Sequence, residues 1–235
     1  MNYWLMTYET PFTVLLTVIG FLLVVFAQIK INTTYSKYRK VQNSAGLTGQ
    51  DVARKILDSN GLSQISVYEI SGNLSDHYNP SKKLINLSKD IYNGTSIASL
   101  AVAAHECGHA IQHAVNYAPL NIRSAIVPVA NFGSTLSWPL FLIGLFSGIR
   151  PLVTAGIVLF SLAVLFQLVT LPVEINASSR ALKMLQSTGI LGTDETRGAR
   201  KVLTAAAMTY VAALAASILQ LLRLLILAGG RRRDD

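Results

Sequence analysis

Apolar residues along this chain of 235 residues fall into long unbroken runs instead of short periodic stripes. Residues 10–29, 124–149, 151–173 and 202–222 contain no Asp, Glu, Lys or Arg, and each run is at least 20 residues long. A helix needs about 20 mainly apolar residues to cross the hydrocarbon core of a bilayer. The pattern therefore predicts a mainly α membrane protein with about four transmembrane helices.

The polar stretch between the first and second runs has a different texture. Thr48 followed by Asp51 resembles a capping box, with Asp where Glu or Gln is usual. Val52, Ala53, Ile56 and Leu57 then form a helical stripe, and Gly61 is a natural stop. Residues 65–70 are strand-like, 71–81 carry the Gly, Asn, Ser, Asp and Pro of turns, and 84–87 form a second short strand. These signals predict a small α/β unit in which a helix feeds a short hairpin. A longer Ala-rich helix begins at Thr95 or Ser96 and runs to about Tyr117, ahead of Pro119.

Composition agrees with a bilayer: 51% of residues are hydrophobic, 14% are charged, and the mean hydropathy is +0.43. A soluble domain carries about 25% charged residues. The net charge of +8 does not point to nucleic acid, because the basic residues flank the apolar runs and form no patch interleaved with aromatics. Lys30, Lys37, Arg39 and Lys40 follow the first run, Arg123 precedes the second, and Arg180, Lys183, Arg197, Arg200 and Lys201 lie between the third and fourth. Only Arg150 separates the second and third.

The positive-inside bias then places 31–123 and 173–201 in the cytoplasm, with the N-terminus and the 147–150 turn outside. The expected division is an N-terminal transmembrane anchor at 1–30, a cytoplasmic α/β region at 31–123 and a transmembrane hairpin at 124–172. A cytoplasmic helix at 173–201 and a C-terminal transmembrane helix with a basic tail at 202–235 complete it. Four spans starting outside would leave Arg231, Arg232 and Arg233 on the unfavoured face, so either the last segment is re-entrant or the bias fails there. The first run has no basic lead-in and no small-residue cleavage site before Lys30, which predicts a retained anchor instead of a signal peptide. The single cysteine, Cys107, excludes an internal disulfide.

The candidate chemistry sits in the long Ala-rich helix, where residues 105–109 read His-Glu-Cys-Gly-His. Side chains four apart on a helix share a face, about 6 Å apart along the axis, so His105 and His109 can converge on one Zn2+. Glu106, between them but off the ligating direction, can act as general base toward a water activated by the metal. Three of the chain's four histidines fall within nine residues here. The third, His113, is about 12 Å and 80° around the helix from His105, which favours a supporting or surface role over a ligand role. Cys107 points off the ligating face and is expected to pack.

A catalytic zinc site needs a third protein ligand and an open position. Among the 12 acidic residues, Glu174 stands out. It follows the third apolar run and Pro172, on the face expected to hold the histidines. The alternative is a carboxylate that merely stabilises a helix N-terminus. Asp76 and His77 fit local turn bonding better than substrate or oxyanion contact. Arg180 and Tyr210 are possible oxyanion donors, equally compatible with an interfacial arginine and a packed tyrosine. Asn131 and Ser134 either line a cleft or mediate helix packing.

Residues 105–113 (HECGHAIQH), 76–80 (DHYNP) and 172–180 (PVEINASSR) together resemble the YugP-type family of "putative neutral zinc metallopeptidases", with the likeness running from the first span to the C-terminus. The layout is also similar to the HtpX proteases and the CAAX prenyl endopeptidases. The resemblance implies a gluzincin-like unit with one Zn2+ per chain, His105, His109 and Glu174 as ligands, and Glu106 as general base. It also implies that the strand after Pro80 binds a peptide substrate by strand addition. One departure is Ser178, which stands where the HtpX-like pattern has an Asp four residues after the ligand Glu. Its hydroxyl, Asn176 or Arg180 would then orient the site.

The implied activity is membrane-embedded endopeptidase action on membrane or membrane-proximal proteins, at the cytoplasmic face. The partners are a protein or peptide substrate and the lipid bilayer, with no nucleic acid. The alternative is a non-catalytic, zinc-stabilised membrane scaffold or regulatory protein. An intramembrane site-2 arrangement fits poorly, because the charge-free stretch before His105 spans only 91–104 and no later LDG-like motif appears.

Overall fold

The computed structural model describes residues 10–73 and 75–230. In chain order these form α1 (Pro11–Tyr38), α2 (Gly49–Ser59), β1 (Ser66–Ile70), β2 (His77–Asn79), β3 (Leu84–Ser88), α3 (Lys89–Tyr92), α4 (Ile97–Ala114), α5 (Ala118–Ser147), α6 (Arg150–Ser187) and α7 (Thr193–Gly230). The protein is mainly α, and α1, α5, α6 and α7 are long and apolar enough to cross a membrane. Arg231–Arg233 and the first nine residues lie outside the described part.

The helices do not stop where the apolar runs stop. α1 continues past Ile29 to Tyr38, and α7 joins 193–201 to the run at 202–222 without a break. α6 passes straight through Pro172, so Glu174 sits inside one 38-residue helix and not at the start of a new one. The helix-terminus account of Glu174 is thereby removed. A proline inside a helix loses one backbone bond and crowds the carbonyl four residues before it. Helices in an apolar setting tolerate this because breaking the rest of the ladder would cost more.

The described residues fall into two compact units. One, the spanning unit, comprises the chain up to Gln28, Ile122–Leu171 and the chain from Thr209. Its packed cluster includes Phe141, Val153, Leu224 and Leu227. Phe132 and Phe146 on α5 and Phe12, Phe21 and Phe26 on α1 are exposed, as suits side chains facing lipid. Gln167 and Ser217 bond to each other between α6 and α7. The backbone oxygen of Asn131 accepts the hydroxyls of Ser134 and Thr135 on its own helix.

The second, polar unit comprises Ile29–Asn121 and Pro172–Met208. α2 starts with a full capping box, Thr48 accepting from the Asp51 N–H while the Asp51 carboxylate accepts from the Thr48 N–H. It ends at the Asn60 cap, and Gly61 follows with φ +70°, where a Cβ would be strained. The α2 stripe Val52, Ala53, Ile56 and Leu57 packs with Leu100, Ala103, Ala104 and Cys107 of α4 and with Ile85 and Leu87 of β3 in one buried core.

The strands depart from the expected simple hairpin. β1 and β3 pair in parallel, Ser66 opposite Leu84 through Ile70 opposite Ser88, and β2 pairs antiparallel to β3. The order is β1-β3-β2, so the connecting segment expected as pure turn crosses over, forms the short edge strand β2, and returns. Asn79 closes that return by accepting the Lys82 N–H.

Candidate metal centre

α4 begins at Ser96, whose hydroxyl accepts the Ser99 N–H. It presents His105, Glu106 and His109 from a buried helix. α6 supplies Glu174. The Nε2 atoms of His105 and His109 both face Glu174 Oε2, at 3.3 and 3.6 Å. One donor atom from each of the three residues lies within 4.8 Å of the others, and among the described residues no further His, Cys, Asp or Glu joins the group. Glu174 and His109 are buried and His105 is nearly so.

Two imidazole nitrogens and a carboxylate oxygen form a three-donor set suited to zinc, an ion that takes four ligands. The outer face of each ring is also engaged. His105 Nδ1 contacts Ser178 Oγ at 3.1 Å, and His109 Nδ1 contacts Gln112 Oε1 at 3.0 Å. Gln112 explains the His109 tautomer. Its Nε2 donates to Val173 O at 2.8 Å and to Asn176 Oδ1 at 3.0 Å, so its Oε1 must be the atom turned to His109. Asn176 is fixed in turn, because Oδ1 also accepts from Arg180 Nε at 2.8 Å. The relay fixes a proton on His109 Nδ1 and leaves Nε2 as the ring atom that faces Glu174, the one a metal would take. Burial alone would pull the His109 pKa down. The Glu174 carboxylate beside it, together with the charge of Glu106, outweighs that and holds it above its ordinary value.

Close approach of α4 and α6 depends on Gly108. A Cβ at that position would lie 2.5 Å from Ala177 O and 3.1 Å from Ala177 Cα. The glycine inside the His-Glu-Cys-Gly-His segment thus lets α6 lie against α4 one turn beyond Glu174. Cys107 faces the other way, packed with its thiol on Ala53 O, and burial pushes that thiol's pKa far up. It is an apolar packing residue.

Glu106 stands apart from the donor group. Its Oε2 accepts the Tyr78 N–H at 2.8 Å, which ties the carboxylate to β2. The Tyr78 hydroxyl meets His113 Nδ1 at 2.8 Å, so His113 braces the same strand. β3, the strand after Pro80, is paired on both sides and has no free edge for a peptide. The sheet's two edges are β1 and β2, and on β2 Tyr78 points its N–H at Glu106. Asp76 accepts the N–H and hydroxyl of Ser88, tying β2 to the end of β3, and burial raises its pKa. His77 is exposed and both ring nitrogens are engaged, Nδ1 with Ser75 O and Nε2 with Asn86. Tyr210 belongs to the spanning unit.

Sequence reasoning did not assign Gln112, Tyr78 or Gly108 to the site. Gln112 had a local signal, since it follows His109 by three residues and so shares its helix face. Tyr78 had none, because a backbone N–H has no side-chain signature.

The chain is 47% identical over 219 residues to a Bacillus subtilis (strain 168) protein named "Putative membrane protease YugP", covering 93% of this chain and 97% of that one. No solved structure matches. Residues 13–229 match the family described as "Putative neutral zinc metallopeptidase", and the chain belongs to that family.

Proposed function

We propose that this protein is a zinc-dependent endopeptidase that cleaves membrane or membrane-proximal proteins, with one Zn2+ on His105, His109 and Glu174 and with Glu106 as general base. The carrying observation is the separation of roles at the site. Three donors converge within 4.8 Å, while Glu106, one residue from a donor, is held on the Tyr78 N–H outside that group. A structural zinc site is closed by four protein ligands and has no use for a carboxylate beside it, which disfavours the scaffold alternative.

Zinc, when bound, acts as a Lewis acid that polarises the scissile carbonyl and acidifies water. Glu106 receives the proton of the attacking water on the oxygen not bonded to Tyr78. It then delivers that proton to the leaving nitrogen as the C–N bond breaks. Ser178 and the Arg180–Asn176–Gln112 relay hold the two imidazoles in place. The free β2 edge offers the Tyr78 carbonyl to an extended substrate. The name of the Bacillus relative and the four apolar helices support substrates at the bilayer, and the basic residues beside the apolar runs support a cytoplasmic polar unit.

The test is Glu106→Gln in the purified full chain, assayed on an unfolded protein such as casein with zinc content measured in parallel. Zinc should stay at one per chain while cleavage falls by at least about 10²–10⁴. Undiminished cleavage with zinc bound would refute the assignment.

A further inference from the structure

Away from the metal centre, the polar unit carries a cleft of about 530 Å³ between α1 and α7. Lys30, Thr33, Thr34, Lys37 and Tyr38 line one wall, and Arg200, Lys201, Thr204, Ala205 and Met208 the other. Each set follows a single helix face, at spacings of three, four and seven or of four and eight. The lining holds four cations, four hydroxyls (Thr33, Thr34, Thr204 and Tyr38) and no carboxylate. Two arginines near it in sequence are neutralised, Arg39 by Asp90 and Arg197 by Asp194, whereas none of the four cleft cations meets a carboxylate among the described residues.

The position along the two helices is informative. Lys30 is the first charge after the apolar run 10–29, and Lys201 is the last before the run 202–222. The cleft therefore lies where both helices pass between apolar and polar surroundings, at headgroup depth for a spanning helix. Its volume falls within the roughly 300–1,000 Å³ of small-ligand sites. Four positive charges with no carboxylate favour a headgroup of net negative charge over a zwitterionic one. The Arg200 guanidinium offers a bidentate fork, and Thr34 and Thr204 add hydroxyl partners for headgroup oxygens, the Thr33 hydroxyl donating to Ile29 O of its own helix. Ala205 and Met208, inside the apolar run, supply apolar surface for the glycerol end of a lipid.

We infer that this cleft binds the headgroup of an anionic glycerophospholipid, seating the α1–α7 pair in the leaflet at that end of the helices. The occupant is a lipid and not free phosphate, because the site combines the cations with apolar wall at the point where acyl chains begin. Clustered basic residues beside spanning helices are a recognised mode of anionic-lipid capture.

The experiment is native mass spectrometry of the full chain in detergent micelles doped with phosphatidylglycerol or phosphatidylcholine, with zinc content measured on every sample. Wild type should retain phosphatidylglycerol at least about tenfold over phosphatidylcholine, and inorganic phosphate at the same concentration should not displace it. Lys37→Gln with Lys201→Gln should weaken retention by about fivefold per charge removed. Lys55→Gln with Lys183→Gln, an equal charge change outside the cleft, should leave it within about twofold. Equal retention of the two lipids by wild type overturns the proposal without reference to any variant. So does displacement by inorganic phosphate, displacement by an acidic peptide, or equal losses in the two double variants.

Discussion

Replacing Gly108 by Ala adds one methyl group at the tightest point of the metal centre. The new Cβ would stand 2.5 Å from Ala177 O, 3.0 Å from its carbonyl carbon and 3.1 Å from its Cα. A close C–H···O contact needs about 3.3 Å and a carbon pair about 3.5 Å, so the overlap is about 0.4–0.8 Å against helix backbone that has no rotamer to change. α6 must move off α4 by a comparable amount. Glu174 lies three residues before Ala177 and Ser178 one after it, so the ligand and the His105 partner move together. Metal sites hold their distances to about 0.2 Å.

Stability alone would report this poorly. Overpacking costs about 1–3 kcal/mol, and alanine regains about 1 kcal/mol of helix propensity over glycine, leaving a net loss of about 0–2 kcal/mol. Zinc affinity should fall by about 10–100-fold, the usual effect of disturbing groups that orient ligands. Competition with a fluorescent chelator measures it, alongside thermal unfolding in the same detergent. Gly229→Ala is the control, since a Cβ there meets nothing within 4 Å. Wild-type zinc affinity and cleavage in Gly108→Ala would refute the contact and the helix approach derived from it.

Three further outcomes are expected. Glu174→Ala should lose zinc and activity together, while His113→Ala, which removes only the Tyr78 hydroxyl's partner, should keep zinc; full zinc in the first or loss in the second would mean a misassigned third ligand. Gln112→Ala should weaken zinc by about 10–100-fold through His109, and an unchanged zinc constant would show that the relay does not hold that ring. On a Cys107→Ala background, cysteines at the exposed Asn60 and Gln186 should be shielded from an impermeant reagent in intact cells while one at Ser147 is labelled; the reverse pattern would invert the topology.

The long helices were legible because a bilayer demands uninterrupted apolar length, and no other part of the chain has it. Their ends were not. Charge marks where a helix changes solvent, whereas helix ends are set by caps and backbone bonding, so α1, α6 and α7 run on past the changes in polarity. Pro172 looked like a break for the same reason. The β1–β3 pairing was illegible because a parallel pair has no turn signature, and the segment between the two strands looked like turn while also supplying β2.

The site divides along a similar line. His105, Glu106 and His109 could be read as a group because one helix sets their relation and spacing carries the geometry. Glu174 is 65 residues further on than His109. Its candidacy rested on scarcity of carboxylates and on resemblance, and what brings it to the histidines is the absent side chain at Gly108. The groups that orient the rings come from both helices: Gln112 from α4, Ser178, Asn176 and Arg180 from α6. Each forms a bond whose meaning depends on the next, Arg180 fixing Asn176, Asn176 fixing Gln112, and Gln112 fixing the His109 tautomer. A sequence can nominate the members of such a relay, but donor and acceptor assignments follow only when the two helices meet, because an amide offers either end until its neighbours choose.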